Sequence, residues 1–66
     1  MRIVVNGNER MIEQGETVAA LIARFAFQPK QVAVEINRDL VPRRAFETTE
    51  LKDGDEVEVV TLVGGG

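Results

Sequence analysis

A single amphipathic stripe, Val18, Leu21, Ile22 and Phe25, sits between runs of residues that alternate with a period of two, and this arrangement leaves the chain few architectures. The four residues fall at i, i+3, i+4 and i+7, so they share one face of a two-turn helix. Thr17 directly before them is a natural N-cap, and Gly15 marks the loop that precedes it. A helix this short does not stand alone in water and must bury its stripe on a sheet.

The strands are bounded by turn residues. Arg2-Ile3-Val4-Val5 reads as a strand, and Asn6-Gly7 behind it is the dipeptide of tight hairpins, where both positions take positive φ. A second strand is predicted through Glu9-Arg10-Met11-Ile12. Pro29 closes the helical region, after which Val32, Val34 and Ile36 alternate with Ala33, Glu35 and Asn37 as a third strand. A turn at Asn37-Arg38-Asp39 leads to a short segment, Leu40-Val41, ended by Pro42. Arg43-Arg44-Ala45-Phe46 is expected to form one helical turn, and Asp53-Gly54-Asp55 turns the chain into a final strand, Glu56-Val57-Glu58-Val59-Val60-Thr61-Leu62. The expected class is α+β in the order ββαββ, without linker, repeat or low-complexity segment.

Composition narrows the chemistry. At 66 residues there is room for one domain, which buries only about 60% of its unfolded surface, so a deep catalytic cleft is not expected. The chain has no cysteine and no histidine, which removes disulfides, thiolate nucleophiles, Cys/His metal sites and an imidazole base. No metal site is expected. Apolar runs are too short to span a membrane, and Met1-Arg2-Ile3-Val4-Val5 stops at Asn6, too early for a signal peptide, so a cytoplasmic protein is expected. Eleven acids against eight bases give a net charge of -3, which disfavours nucleic acid and mildly favours a basic protein partner.

What remains is the tail. Val63-Gly64-Gly65-Gly66 follows the last strand directly, and glycines without Cβ make a slim extension, about 10 Å when fully stretched, that fits a narrow active site. The expected division is a folded domain over 1–63 and a flexible glycine tail over 64–66. The competing reading is a frayed or extraneous terminus. In the last strand, alternation puts Val57 and Val59 on one face and Glu56 and Glu58 on the other. Carried forward, the same parity puts Val60 and Leu62 on the solvent side, as a docking surface for a partner; a β-bulge after Val59 is the alternative and buries both.

Several stretches together resemble a known family. They are Asn6-Gly7, Gly15-Glu16-Thr17-Val18 with Leu21-Ile22, Val34-Glu35-Ile36-Asn37-Arg38-Asp39-Leu40-Val41-Pro42-Arg43, Leu51-Lys52-Asp53-Gly54-Asp55-Glu56-Val57 and the terminal Gly65-Gly66. In this order and length the chain resembles the ThiS sulfur carriers of thiamin biosynthesis, ubiquitin-like proteins of the β-grasp fold with a mixed sheet on one helix. Gly64 departs from the pattern, where a small or apolar residue is more usual.

The resemblance implies a protein that is a co-substrate and not itself an enzyme. In that family an E1-like adenylating enzyme of the ThiF type uses ATP and Mg²⁺ to adenylate the terminal glycine. A sulfur-donor system then converts it to a thiocarboxylate, and thiazole synthase of the ThiG type receives the sulfur. Carried over, Gly66 is the reactive residue, Gly65 provides the slim approach and Gly64 extra slack, and no cofactor is bound by the chain itself. The same tail and fold also suit a carrier for molybdopterin synthesis or a ubiquitin-like protein modifier, and Asn37-Arg38-Asp39-Leu40-Val41-Pro42 is similar to the strand-turn-strand of a TGS-type binding module, which has no need of a free Gly-Gly end. Other conspicuous residues have plain readings. Arg43-Arg44 is a solvated turn, Asp53-Gly54-Asp55 lacks the ligand set of a calcium loop, and Phe25, Phe27 and Phe46 belong to the core or its edge.

Overall fold

The computed structural model describes residues 1–25 and 27–62. Two hairpins and one helix are arranged around a central last strand. β1 (Arg2–Val5) and β2 (Asn8–Met11) pair antiparallel, with Val5 opposite Asn8, so the connection is the two-residue loop Asn6-Gly7. Both loop residues have positive φ, 51° and 83°, the backbone twist that closes a two-residue hairpin without splaying its strands. The second strand begins and ends one residue earlier than its apolar residues suggest, and Ile12 just beyond it is buried.

α1 (Val18–Arg24) follows, capped as the sequence indicates: Thr17 is extended and its Oγ1 accepts a hydrogen bond from the Ala20 N–H at 3.2 Å. Val18, Leu21 and Ile22 are buried, while Phe25 falls just outside the helix as its C-cap and is only partly buried. Its ring lies 6.0 Å from that of Phe27, at the edge of the core, and Phe46 is fully inside. Pro29 opens a 3₁₀ turn (Pro29–Gln31), a use of its fixed φ at the first position of a helical turn.

β3 (Val32–Ile36) and β4 (Asp39–Val41) form the second hairpin, around Asn37-Arg38. The short Leu40-Val41 segment is thus a true strand, the fifth of the sheet, added to the ββαββ framework. Arg43–Ala45 makes the anticipated helical turn, of 3₁₀ type. β5 (Glu56–Thr61) then runs up the middle of the sheet, whose order is β2-β1-β5-β3-β4. It is parallel to β1 and antiparallel to β3, so the sheet is mixed and the first and last strands are neighbours. Ile3, Val34 and Val57 reach from the three central strands to the helix stripe, and all are almost completely excluded from solvent. Among the described residues no helix covers the opposite face of the sheet.

Candidate functional site

The last strand and the open face around it are where the chain can meet another molecule. β5 pairs with β3 in an uninterrupted register from Ile36 opposite Val57 to Val32 opposite Thr61. No bulge intervenes, so parity is kept: Val57 and Val59 are buried, and Glu56, Glu58 and Val60 face outward. Val60 is 56% exposed and Leu62 48%, on the solvent side where alternation places them.

Two further exposed apolar residues, which the sequence analysis did not single out, are Leu40 and Met11. Leu40 stands opposite Glu35 on β3, and Met11 opposite Arg2 on β1, so both share the helix-free face. Their signal lay in strand parity, but β4 spans only three residues and β2 is exposed along its whole length, so neither shows a clear alternation. The face is therefore apolar residues interleaved with carboxylates, the latter being Glu9, Glu35, Glu56 and Glu58. Arg2 meets one of them, its Nε lying 3.8 Å from Glu9.

The strand is held at three places. At its start the Asn37 carboxamide accepts from the Glu56 N–H at 3.0 Å and donates to Asp55 Oδ1 at 3.1 Å. Asp55 is buried, and its other oxygen accepts from the Lys52 N–H at 2.8 Å. Asp53 accepts from the Arg2 N–H. The acids of Asp53-Gly54-Asp55 are thus occupied with the turn, and no cluster of metal-ligating side chains occurs among the described residues. Midway, the Asn6 side chain both accepts from the Val59 N–H at 2.8 Å and donates to the Val59 carbonyl at 3.1 Å. At the end, the Leu62 N–H donates to the Gln31 carbonyl at 2.7 Å. Gly64, Gly65 and Gly66 lie outside the described residues.

Electrostatic perturbation sits elsewhere. Glu16, directly before the helix cap, is buried and takes the Arg24 guanidinium on both oxygens, from Nε at 2.6 Å and Nη2 at 2.8 Å. These hydrogen bonds hold its carboxyl below the ordinary glutamate range, against the opposing effect of burial. The pair ties the loop before α1 to the last turn of the helix and is structural. Arg43 and Arg44 are exposed on their 3₁₀ turn, and no helix among the described residues is long and apolar enough to cross a membrane.

Comparison with known proteins is consistent along the chain. The ThiS family model matches residues 3–66. A sulfur carrier protein ThiS from Thermus thermophilus is 36% identical over 62 residues, covering 94% of this chain and 95% of that one. A thiazole synthase from Paramagnetospirillum magneticum is 38% identical over 66 residues, and there the chain spans only a fifth, 20%, of the relative's length. Among solved structures, the crystal structure of a thiamine biosynthesis protein (ThiS) from Geobacter metallireducens superposes with a TM-score of 0.84 at 35% identity, each chain covered completely. With a family model that matches residues 3–66 and a superposition that covers both chains completely, this chain belongs to the ThiS family.

Proposed function

We propose that the chain is a sulfur carrier that holds sulfur as a thiocarboxylate on Gly66 and donates it for thiazole formation in thiamin biosynthesis. One observation carries the reading: the family match includes the glycines as well as the folded domain. The Thermus relative is named a sulfur carrier and matches nearly end to end. The Paramagnetospirillum relative, named a thiazole synthase, contains a stretch similar to this whole chain, which supports a thiazole synthase as the acceptor.

The chemistry follows from the carboxylate. At neutral pH a terminal carboxyl is an anion and a poor electrophile. An adenylating partner supplies ATP and Mg²⁺; the carboxylate oxygen attacks the α-phosphate and pyrophosphate leaves. Sulfide delivered by the donor system then adds to the acyl carbon and AMP departs, leaving the thiocarboxylate. Throughout, the chain contributes no acid, base or metal ligand. Its part is delivery: Val60 and Leu62 dock the partner, β5 aims the tail, and Gly64 and Gly65 pass through the narrow entrance. The absence of cysteine leaves no internal thiol to intercept the activated acyl group.

The test is reconstitution with an E1-like adenylating enzyme, ATP and Mg²⁺. Pyrophosphate release that depends on this protein, and that is lost when Gly66 is deleted, is the expected result. Release that is unaffected by the deletion, or none at all with the intact protein, overturns the proposal.

A further inference from the structure

The Asn6 side chain does more than its turn requires. β1 ends at Val5, and the Asn6 N–H makes the last main-chain bond of that ladder, to the Val57 carbonyl at 2.9 Å. There the chain turns away into the hairpin, while β5 continues to Thr61. Val59 is left with its N–H and carbonyl pointing at the space β1 has vacated. The Asn6 carboxamide fills that space and satisfies both groups, across 53 residues of sequence. A carboxamide has the donor and acceptor of a peptide group, so the side chain acts as one more residue of β1.

The turn alone does not explain this residue. A positive φ of 51° is met by Gly or Asp as well as Asn, and both are common in such hairpins. Only Asn combines that backbone with a donor and an acceptor at this reach. Aspartate keeps the acceptor but turns an oxygen toward the Val59 carbonyl, and glycine supplies neither group. On the opposite flank the Leu62 N–H donates to the Gln31 carbonyl, so the end of β5 is held from both sides, and Asn6 holds it from the β1 side.

We infer that Asn6 is a positioning residue for the reaction at the tail: its carboxamide clamp on Val59 fixes the end of β5 that the adenylating partner engages. This inference rests on the carrier reading given above. The docking residues Val60 and Leu62 are held from the other flank, Val60 by its pairing opposite Ala33 and Leu62 by its bond to Gln31, so loss of the clamp affects turnover more than recognition.

Asn6→Gly keeps the positive φ and removes both bonds; Asn6→Asp keeps the backbone and one bond. Each is assayed by pyrophosphate release with an E1-like adenylating enzyme, ATP and Mg²⁺, at a temperature where circular dichroism shows the variant folded. Amide exchange at Val59 reports the clamp directly. The expected result is faster exchange at Val59 and a fall in kcat of about tenfold or more, since reacting groups displaced by an ångström lose rate steeply, with KM for the carrier changed much less. A folded Asn6→Gly or Asn6→Asp protein with wild-type kcat overturns the inference while leaving the carrier reading intact. Wild-type protein that yields no pyrophosphate overturns both.

Discussion

Glu35 and Glu58 stand directly opposite each other across the β3–β5 ladder, both on the solvent face, and neither forms an ion pair among the described residues. Like charges in facing positions oppose sheet pairing. Glu58→Gln is expected to raise stability by about 0.2–0.5 kcal/mol at low salt. The gain should shrink in high salt, where the repulsion is already screened. Urea midpoints measured at both ionic strengths check this; an equal gain at both would assign the effect to something other than charge.

The two hairpins offer a matched pair of turns. Asn6-Gly7 has glycine at its second position, whereas Asn37-Arg38 places an arginine at φ 73°. A side chain with a Cβ is strained there, so Arg38→Gly is expected to stabilise the protein by about 1 kcal/mol. Thermal denaturation reads the change, and a lower Tm would mean that the Arg38 side chain makes a contribution larger than the strain.

The Glu16–Arg24 pair makes stability depend on acid. The carboxyl is held below its unfolded value by its guanidinium hydrogen bonds, so its contribution is complete above the ordinary glutamate range near pH 4.3 and is lost as pH falls through the lowered folded value. Glu16→Gln should cost about 1–2 kcal/mol at pH 7. The variant should then lose less than wild type on acidification, so that the two stability curves converge. Parallel curves from pH 7 to pH 3 would show that this pair does not carry the dependence.

Two substitutions separate core from surface on neighbouring elements. Leu21→Ala removes a fully buried side chain from the helix stripe and should cost about 2–5 kcal/mol. Val60→Asp changes a residue that is 56% exposed, so the denaturation midpoint should barely move while adenylation by the partner weakens. Collapse of stability in Val60→Asp would return Val60 to the core.

Local periodicity made most of this architecture readable. The helix stripe, the Thr17 cap, the Asn6-Gly7 turn and the outward parity of Val60 each depend on residues within a turn or a strand of one another, and the structure shows each of them. The helix ended one residue short of Phe25, because no pattern distinguishes a last helical residue from a C-cap. In sequence Leu40-Val41 is only a short segment ended by Pro42, and its pairing with β3 makes it part of a strand. The clamp between Asn6 and Val59 was not legible at all. It joins residues 53 apart through a side chain whose local role in the turn already accounted for its presence.

Intact-mass analysis of the protein isolated from its native host tests the central claim most directly. A fraction of molecules ending at Gly66 with one carboxylate oxygen replaced by sulfur, lost when the adenylating partner is absent, is the expected result. A mass that always corresponds to an unmodified Gly66 carboxylate, or to a chain that continues beyond Gly66, contradicts it.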